Sequence, residues 1–260
     1  MVMLALQDWE GAGHAIRGEW LELLGRLGSW TLLALFLVLV VRAFLRRRRY
    51  RAVDVLSKED LDALHAEIVA AEKRTVGEIV PVILERSDGH PAAHWLSAVF
   101  ALLLGSALLG GILPWDRPPL LILAQVALGA VGYLASRFLP DYQRLFIREA
   151  RAKEMAEEQA FQEFHRHDLH ETEARTGVLL FVSLLEHRVV VFADKGINEK
   201  LDSAHWVATD RAILDGIRRG SLRDGLIAGI RSAADVLAEH FPWEEGDRNE
   251  VPDRVIVRRE

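Results

Sequence analysis

The chain has 260 residues, of which 50% are hydrophobic and 27% charged, with a formal net charge of −6 and no cysteine. Its mean hydropathy is nonetheless positive (+0.10), so the apolar residues must be gathered in blocks; that excludes a purely soluble globule, a collagen-like chain and a disordered one. The missing cysteine excludes disulfide frameworks, thiolate metal centres and cysteine nucleophiles, and the negative charge argues against a nucleic-acid partner.

Residues 1–26 read as an external N-terminal segment. Leu27–Val41 carries no charged side chain, and with Arg42 snorkelling at its end the run 27–45 reads as a first transmembrane helix. The basic cluster Arg46, Arg47, Arg48 and Arg49 follows this segment, whereas a secretory signal is basic before its apolar core. Beside a membrane helix, those arginines are expected to contact anionic lipid headgroups.

Ser57 with Asp60 three residues on marks a capped helix start, and Leu61, Leu64, Ile68 and Ala71 recur at helical spacing, so a helix is predicted over 58–73. Glu78–Leu84 reads as a strand in which Pro81, lacking an amide donor, implies an edge or an irregularity. Two further uncharged runs follow, 95–113 and 119–136, joined by Pro114–Pro118. Each is long enough to cross a hydrocarbon core of about 30 Å, and the short link makes them an antiparallel hairpin. The small-residue pairs Ala101/Gly105, Ser106/Gly110 and Ala107/Gly111 offer a face for close helix contact.

Beyond the hairpin, Asp141 is expected to start a long helix reaching Glu171. Val178–Leu184 is a near-continuous apolar run, as in a strand buried on both faces. Glu186-His187 turns it into Val189–Ala193, so an antiparallel strand pair is expected. Helices over about 203–218 and 221–240 follow, then an acidic tail over 243–260 in which Val255–Val257 suggests a short strand.

Two crossings separate residue 94 from residue 137, so 46–94 and 137–242 lie on one side of the membrane and can build one domain. Residues 42–58 hold seven lysines and arginines and residues 137–153 hold five, against Arg117 alone at the hairpin tip. The positive-inside rule then places the domain in the cytoplasm and the N-terminus outside. The expected architecture is α/β, a small mixed sheet flanked by helices, plus three transmembrane helices.

Two blocks carry a family resemblance. One is Thr75-Val-Gly-Glu-Ile-Val-Pro-Val82. The other runs Arg175-Thr-Gly-Val-Leu-Leu-Phe-Val-Ser183, Arg188–Gly196 and Ile197–Leu201 with its D-x-G-x-x-E spacing, and continues into the glycine-bearing helix Leu222–Ile230. These segments resemble the TPM-domain family over about 57–84 and 141–242. The resemblance implies an α/β sandwich tethered to a membrane, serving as an accessory or quality-control factor for a membrane complex, with phosphatase activity and calcium binding proposed for some members. The hairpin set directly after the first strand departs from the family pattern and displaces the loop that commonly follows it.

Asp194, Glu199 and Asp202 gather where a strand meets a helix, and oxygen donors of this kind suit Ca²⁺ or Mg²⁺. The competing reading makes Asp202 a helix cap and leaves Glu199 solvated. Glu78 opens a neighbouring strand, and a parallel arrangement would set it at the opposite end. His165, His167 and His170 with Glu163, Asp168 and Glu171 form the densest histidine patch, in which His167 shares a helix face with Glu163; without an H-E-x-x-H pattern it reads as a solvated or partner-facing surface. Ser183 lies in an apolar strand without a nucleophile turn, and no nucleotide-binding glycine motif is present. The leading expectation is a membrane-anchored interaction module acting as an accessory, assembly or quality-control factor for a membrane protein complex; the alternatives are a divalent-metal-dependent phosphatase using the acidic loop, and a purely structural anchor.

Overall fold

The computed structural model describes residues 50–109 and 113–259, together with residues 38, 41, 42, 44 and 45. The external N-terminal segment, most of the first apolar run and Arg46–Arg49 lie outside the described residues, as do Gly110 and Gly111 of two of the small-residue pairs. The helices, numbered in chain order, are α1 (Lys58–Glu72), α2 (Pro91–Leu108), α3 (Pro118–Phe138), α4 (Glu149–Arg166), α5 (Val207–Arg218) and α6 (Leu222–His240), with single turns at Ala52–Val55, Pro140–Arg144 and Lys195–Asn198. The strands are β1 (Glu78–Leu84), β2 (Gly177–Ser183), β3 (Arg188–Ala193) and β4 (Ile256–Arg258). The described residues divide into two compact units, one holding residues 94–109 and 113–143 and the other residues 50–93 and 144–259.

The second unit is a sheet with helices on both faces. Its strand order is β3-β2-β1-β4. β1 lies parallel to β2, with Ile79 beside Val178 and Leu84 beside Ser183, so the crossover expected from the long gap is present. β2 and β3 are antiparallel, and the tail supplies β4 parallel to β1. Alternation of side chains splits the core. Ile79, Ile83, Val178, Leu180 and Val182 pack with Leu64 and Ile68 of α1, Ile213 of α5 and Ile230 and Leu237 of α6. Val80, Val82, Leu84, Leu179 and Phe181 pack with Ala156, Ala160 and Phe164 of α4. Burial on both faces is why β2 is apolar at nearly every position.

Local chemistry fixes the ends of these elements. Ser57 and Asp60 form a reciprocal capping box on α1, and Ser221 caps α6 by accepting from the Asp224 amide. α5 and α6 touch backbone to backbone: a Cβ on Gly216 would stand 2.1 Å from the Gly225 Cα. That contact gives a packing reason for Gly225 in the glycine-bearing helix.

Two expectations need revision. The long helix from Asp141 is broken: a single turn covers Pro140–Arg144, the chain turns at Leu145–Arg148, α4 ends at Arg166, and Leu169–Glu171 is a separate 3₁₀ turn. β1 is an interior strand although it contains Pro81. Even-numbered β1 residues face β2, as the Glu78 amide donates to Thr176 O and the Leu84 carbonyl accepts from the Leu184 amide. Odd-numbered residues face the other way, where β4 pairs only with Val82–Leu84. Pro81 therefore gives up no ladder bond.

The first unit contains the hairpin of α2 and α3, both long and apolar enough to cross a membrane. Here too the helices approach closely: a Cβ on Gly132 would meet Ser97 O at 2.5 Å and the Ala101 side chain at 2.4 Å. Gly105 packs on Leu128, so the Ala101/Gly105 pair is on the contact face. Ser97 Oγ donates to Gly132 O at 3.0 Å, and His94 Nδ1 lies 2.8 Å from Ser136 Oγ. Outward, Leu103, Ile122, Leu123 and Val126 are all more than 60% exposed.

Candidate functional site

A buried polar cluster stands at the C-terminal ends of β1 and β2, where the chain leaves the sheet for α2. Leu184 and Leu185 donate to the carbonyls of Leu84 and Glu85, and this lashing brings the turn after β2 against the loop after β1. Glu186, in that turn, is buried. Its Oε1 accepts from His90 Nε2 at 2.6 Å and from the Ser87 amide at 3.1 Å; its Oε2 accepts from Ser183 Oγ. His90 Nδ1 faces Asp88 Oδ2 at 3.5 Å, and Arg151 of α4 reaches the same oxygen at 3.5 Å. Burial alone would push the Glu186 carboxyl up, but the bonds from His90, Ser183 and Ser87 outweigh it and the net direction is down.

Both histidines flanking this cluster have left-handed backbone, His90 at φ 46° and His187 at φ 53°, a conformation that costs a non-glycine residue roughly 1–3 kcal/mol. His187 stacks on Tyr50 with centroids 5.7 Å apart. His90 is followed by Pro91, which opens α2. The cluster therefore fastens the loop after β1 to the β2–β3 turn. As a nucleophile Ser183 is poorly placed, since it is buried and its hydroxyl is spent on Glu186. Sequence reasoning passed over this cluster because His90 and Glu186 stand 96 residues apart; the available signals were a serine ending an apolar strand and a Glu-His turn.

At the other end of β1 lie a half-buried carboxylate, Glu72, and a buried one, Glu78. Glu72 Oε1 accepts from the Ile79 amide at 3.2 Å, filling the edge that β4 leaves open. Glu78 Oε1 accepts from the Glu250 amide at 2.9 Å, while its Oε2 is buried without a partner. Burial, with the neighbouring Glu78 charge, pushes Glu72 up to about 9. Burial, with Asp253, Asp247 and Glu250 nearby, raises Glu78 to about 7. The tail crosses this spot, where His65 Nδ1 donates to Asp253 O.

The acidic loop has these contacts. Asp194 is buried and caps the Lys195–Asn198 turn, its Oδ1 accepting from the Lys195 amide at 2.7 Å while Oδ2 has no partner. Glu199 is 3.9 Å from Lys195 Nζ. Asp202 accepts from the Ala204 amide and from His205 Nδ1, each at 2.9 Å, and the His205 bond leads the causes that lower its carboxyl. Among the described residues no three His, Asp or Glu side chains stand close enough to hold a metal ion. Because β3 is antiparallel to β2, Glu78 and Asp194 lie at the same end of the sheet, separated by β2, not at opposite ends.

In the histidine patch, Glu163 is buried and accepts from His167 Nε2 at 3.1 Å, Gln159 at 3.1 Å and Arg166 at 2.5 Å. Arg258 of β4 adds contacts of 3.2 Å to both oxygens. Glu163 thus ties the tail strand to α4. His165 donates to Phe161 O and packs against His170 with ring centroids 4.7 Å apart.

The TPM domain family matches residues 143–236. The chain carries a TPM domain. The matched residues run from the turn before α4 to the last turns of α6, so the TPM match covers β2, β3 and the acidic loop; β1 and the hairpin precede it and β4 follows it. Of solved structures, the chain is similar to that of the BA42 protein from the psychrophilic bacterium Bizionia argentinensis, with 22% identity over 77% of this chain and 94% of that one and a TM-score of 0.48. No curated protein matches.

Proposed function

We propose that the protein is a membrane-anchored TPM-domain interaction module that serves a membrane protein complex as an accessory, assembly or quality-control factor. One observation carries this reading: two apolar helices are inserted between strands that pair in one sheet, and the polar cluster at their exit is closed on itself. An enzyme places reactive groups in an open cleft. Here Ser183, His90 and Glu186 are consumed by one another, which suits a structural clasp between two loops of the domain. With the first apolar run as a third span, the basic residues place the domain in the cytoplasm and the N-terminus outside.

The test is native electrophoresis of gently solubilised membranes, combined with carbonate extraction. The protein is expected to resist carbonate and to migrate as part of one discrete assembly whose yield falls when the chain is deleted. Migration as a free monomer, with every membrane complex intact in the deletion strain, would overturn the reading.

A cation at the acidic loop is a second reading, resting on the buried, unpartnered Oδ2 of Asp194. A metal-assisted phosphoester hydrolase would need that cation. Millimolar Ca²⁺ or Mg²⁺ would then raise the melting temperature by mass action, and Asp194→Asn would abolish the rise.

A further inference from the structure

The turn that interrupts the expected long helix puts an apolar side chain in an odd place. Leu145 is 77% exposed, more than any other large hydrophobic residue among those described. A helix continuing from Pro140–Arg144 into α4 would have carried on its pattern, yet the chain turns at Leu145–Arg148 and leaves the leucine uncovered. Arg144 and Arg148 flank it, both exposed, and neither guanidinium has an ion pair or hydrogen bond among the described residues. Upstream, Phe138 closes α3 at 60% exposure, and Arg137 beside it is also exposed and unpaired among the described residues. Within residues 137–148 the only carboxylate is Asp141. Leu145 follows Phe138 by seven residues, so chain length alone keeps it within about 25 Å of the end of the spanning helix.

We propose that Arg144, Leu145 and Arg148 form a docking surface for the anionic phospholipid headgroups of the membrane that the hairpin crosses, with the leucine entering the acyl boundary and the two guanidiniums on phosphates. This rests on the membrane reading of α2 and α3. Charge complementarity selects the occupant: cations without protein counter-ions border an apolar side chain without protein cover, a few residues beyond a membrane span. Interfacial anchors combine those two features. Each arginine near an anionic surface is worth roughly fivefold in the docked-to-free ratio, so losing both lowers it roughly 25-fold. The surface attraction also weakens as the Debye length shrinks from about 10 Å at 0.1 M salt to about 3 Å at 1 M.

The absence of cysteine makes single-site labelling clean. The full chain carrying Leu145→Cys is labelled with a polarity-sensitive fluorophore and reconstituted into phosphatidylcholine vesicles with and without phosphatidylglycerol; Glu157→Cys on the exposed face of α4 is the control. In phosphatidylglycerol vesicles, label at 145 is expected to emit to the blue of label at 157 and to resist aqueous iodide. Arg144→Gln/Arg148→Gln or 1 M salt should reverse both effects. If protein that resists carbonate extraction shows label at 145 as open to iodide as at 157, the docking surface is overturned while the spans stand. Protein stripped by carbonate overturns the membrane reading and this surface with it. Protection that is equal without anionic lipid and indifferent to the arginine substitutions overturns the headgroup assignment. Protection that vanishes at one copy per vesicle assigns the surface to a second copy instead.

Discussion

The two ends of β1 carry buried and half-buried glutamates with opposite electrostatics. At the C-terminal end, Glu186 receives a histidine, a hydroxyl and an amide, and its carboxyl is held down despite burial. At the N-terminal end, Glu72 and Glu78 receive one backbone amide each and face other carboxylates, and both are pushed up. Burial acts in the same direction at both ends; the number of donors decides the sign. The first end ties the loop after β1 to the turn after β2. The second, where the tail crosses, is a place whose charge depends on pH.

Removing Glu186 should do the most damage. Glu186→Ala leaves His90, Ser183 Oγ and the Ser87 amide without their acceptor, and a broken buried pair costs about 3–5 kcal/mol. His90→Gly should cost less, because glycine also relieves the left-handed backbone position at φ 46°. Urea melts of the detergent-solubilised chain measure both, and equal, negligible losses would show that the cluster does not hold the domain.

The opposite end should respond with the opposite sign. Glu72 and Glu78 have folded values above their unfolded ones, so their contribution is most favourable below about pH 4.5 and is lost as pH rises through about 7 and about 9. Glu186 has a lowered folded value, so its contribution is present above the unfolded value and lost as pH falls. Glu72→Gln is therefore expected to stabilise the protein by about 1–3 kcal/mol at pH 8 and to flatten the alkaline limb of its stability curve. A Glu72→Gln chain less stable than the parent at pH 8 would reverse our assignment of that end.

Smaller effects follow at the loop and the strand. Asp202→Ala should cost about 0.5–2 kcal/mol as a lost cap, equally with and without Ca²⁺ or Mg²⁺. A cost that appears only with the ion would make Asp202 a ligand. Pro81→Val should change stability by less than about 0.5 kcal/mol, the range of ordinary benign substitutions. Val80→Pro, which removes an amide facing β2, should cost several-fold more.

The sheet was legible because its strands are long apolar runs and because Ser57 and Ser221 announce their helices. The pairing of β1 with β2 was expected because two crossings would return the chain to the same side, and both strands are apolar. What stayed hidden depends on contacts distant in sequence. No local pattern joins His90 to Glu186, or tells that Glu72 fills a sheet edge. The break at Leu145 was missed because Asp141 offers a start signal and the residues after it are helix formers; only packing shows where α4 begins. Pro81 suggested an edge or irregularity, and the short reach of β4 supplies the edge locally.

One domain, built from chain on either side of the hairpin, carries the hairpin as an insertion. Replacing residues 95–136 by a Gly/Ser linker tests it most directly, since loop-closure cost grows only slowly with length. Hydrogen exchange on the trimmed chain should show β1 and β2 amides protected together and a single cooperative melt. Unprotected β1 amides beside a protected β2, or a chain that does not fold without its hairpin, would contradict the account.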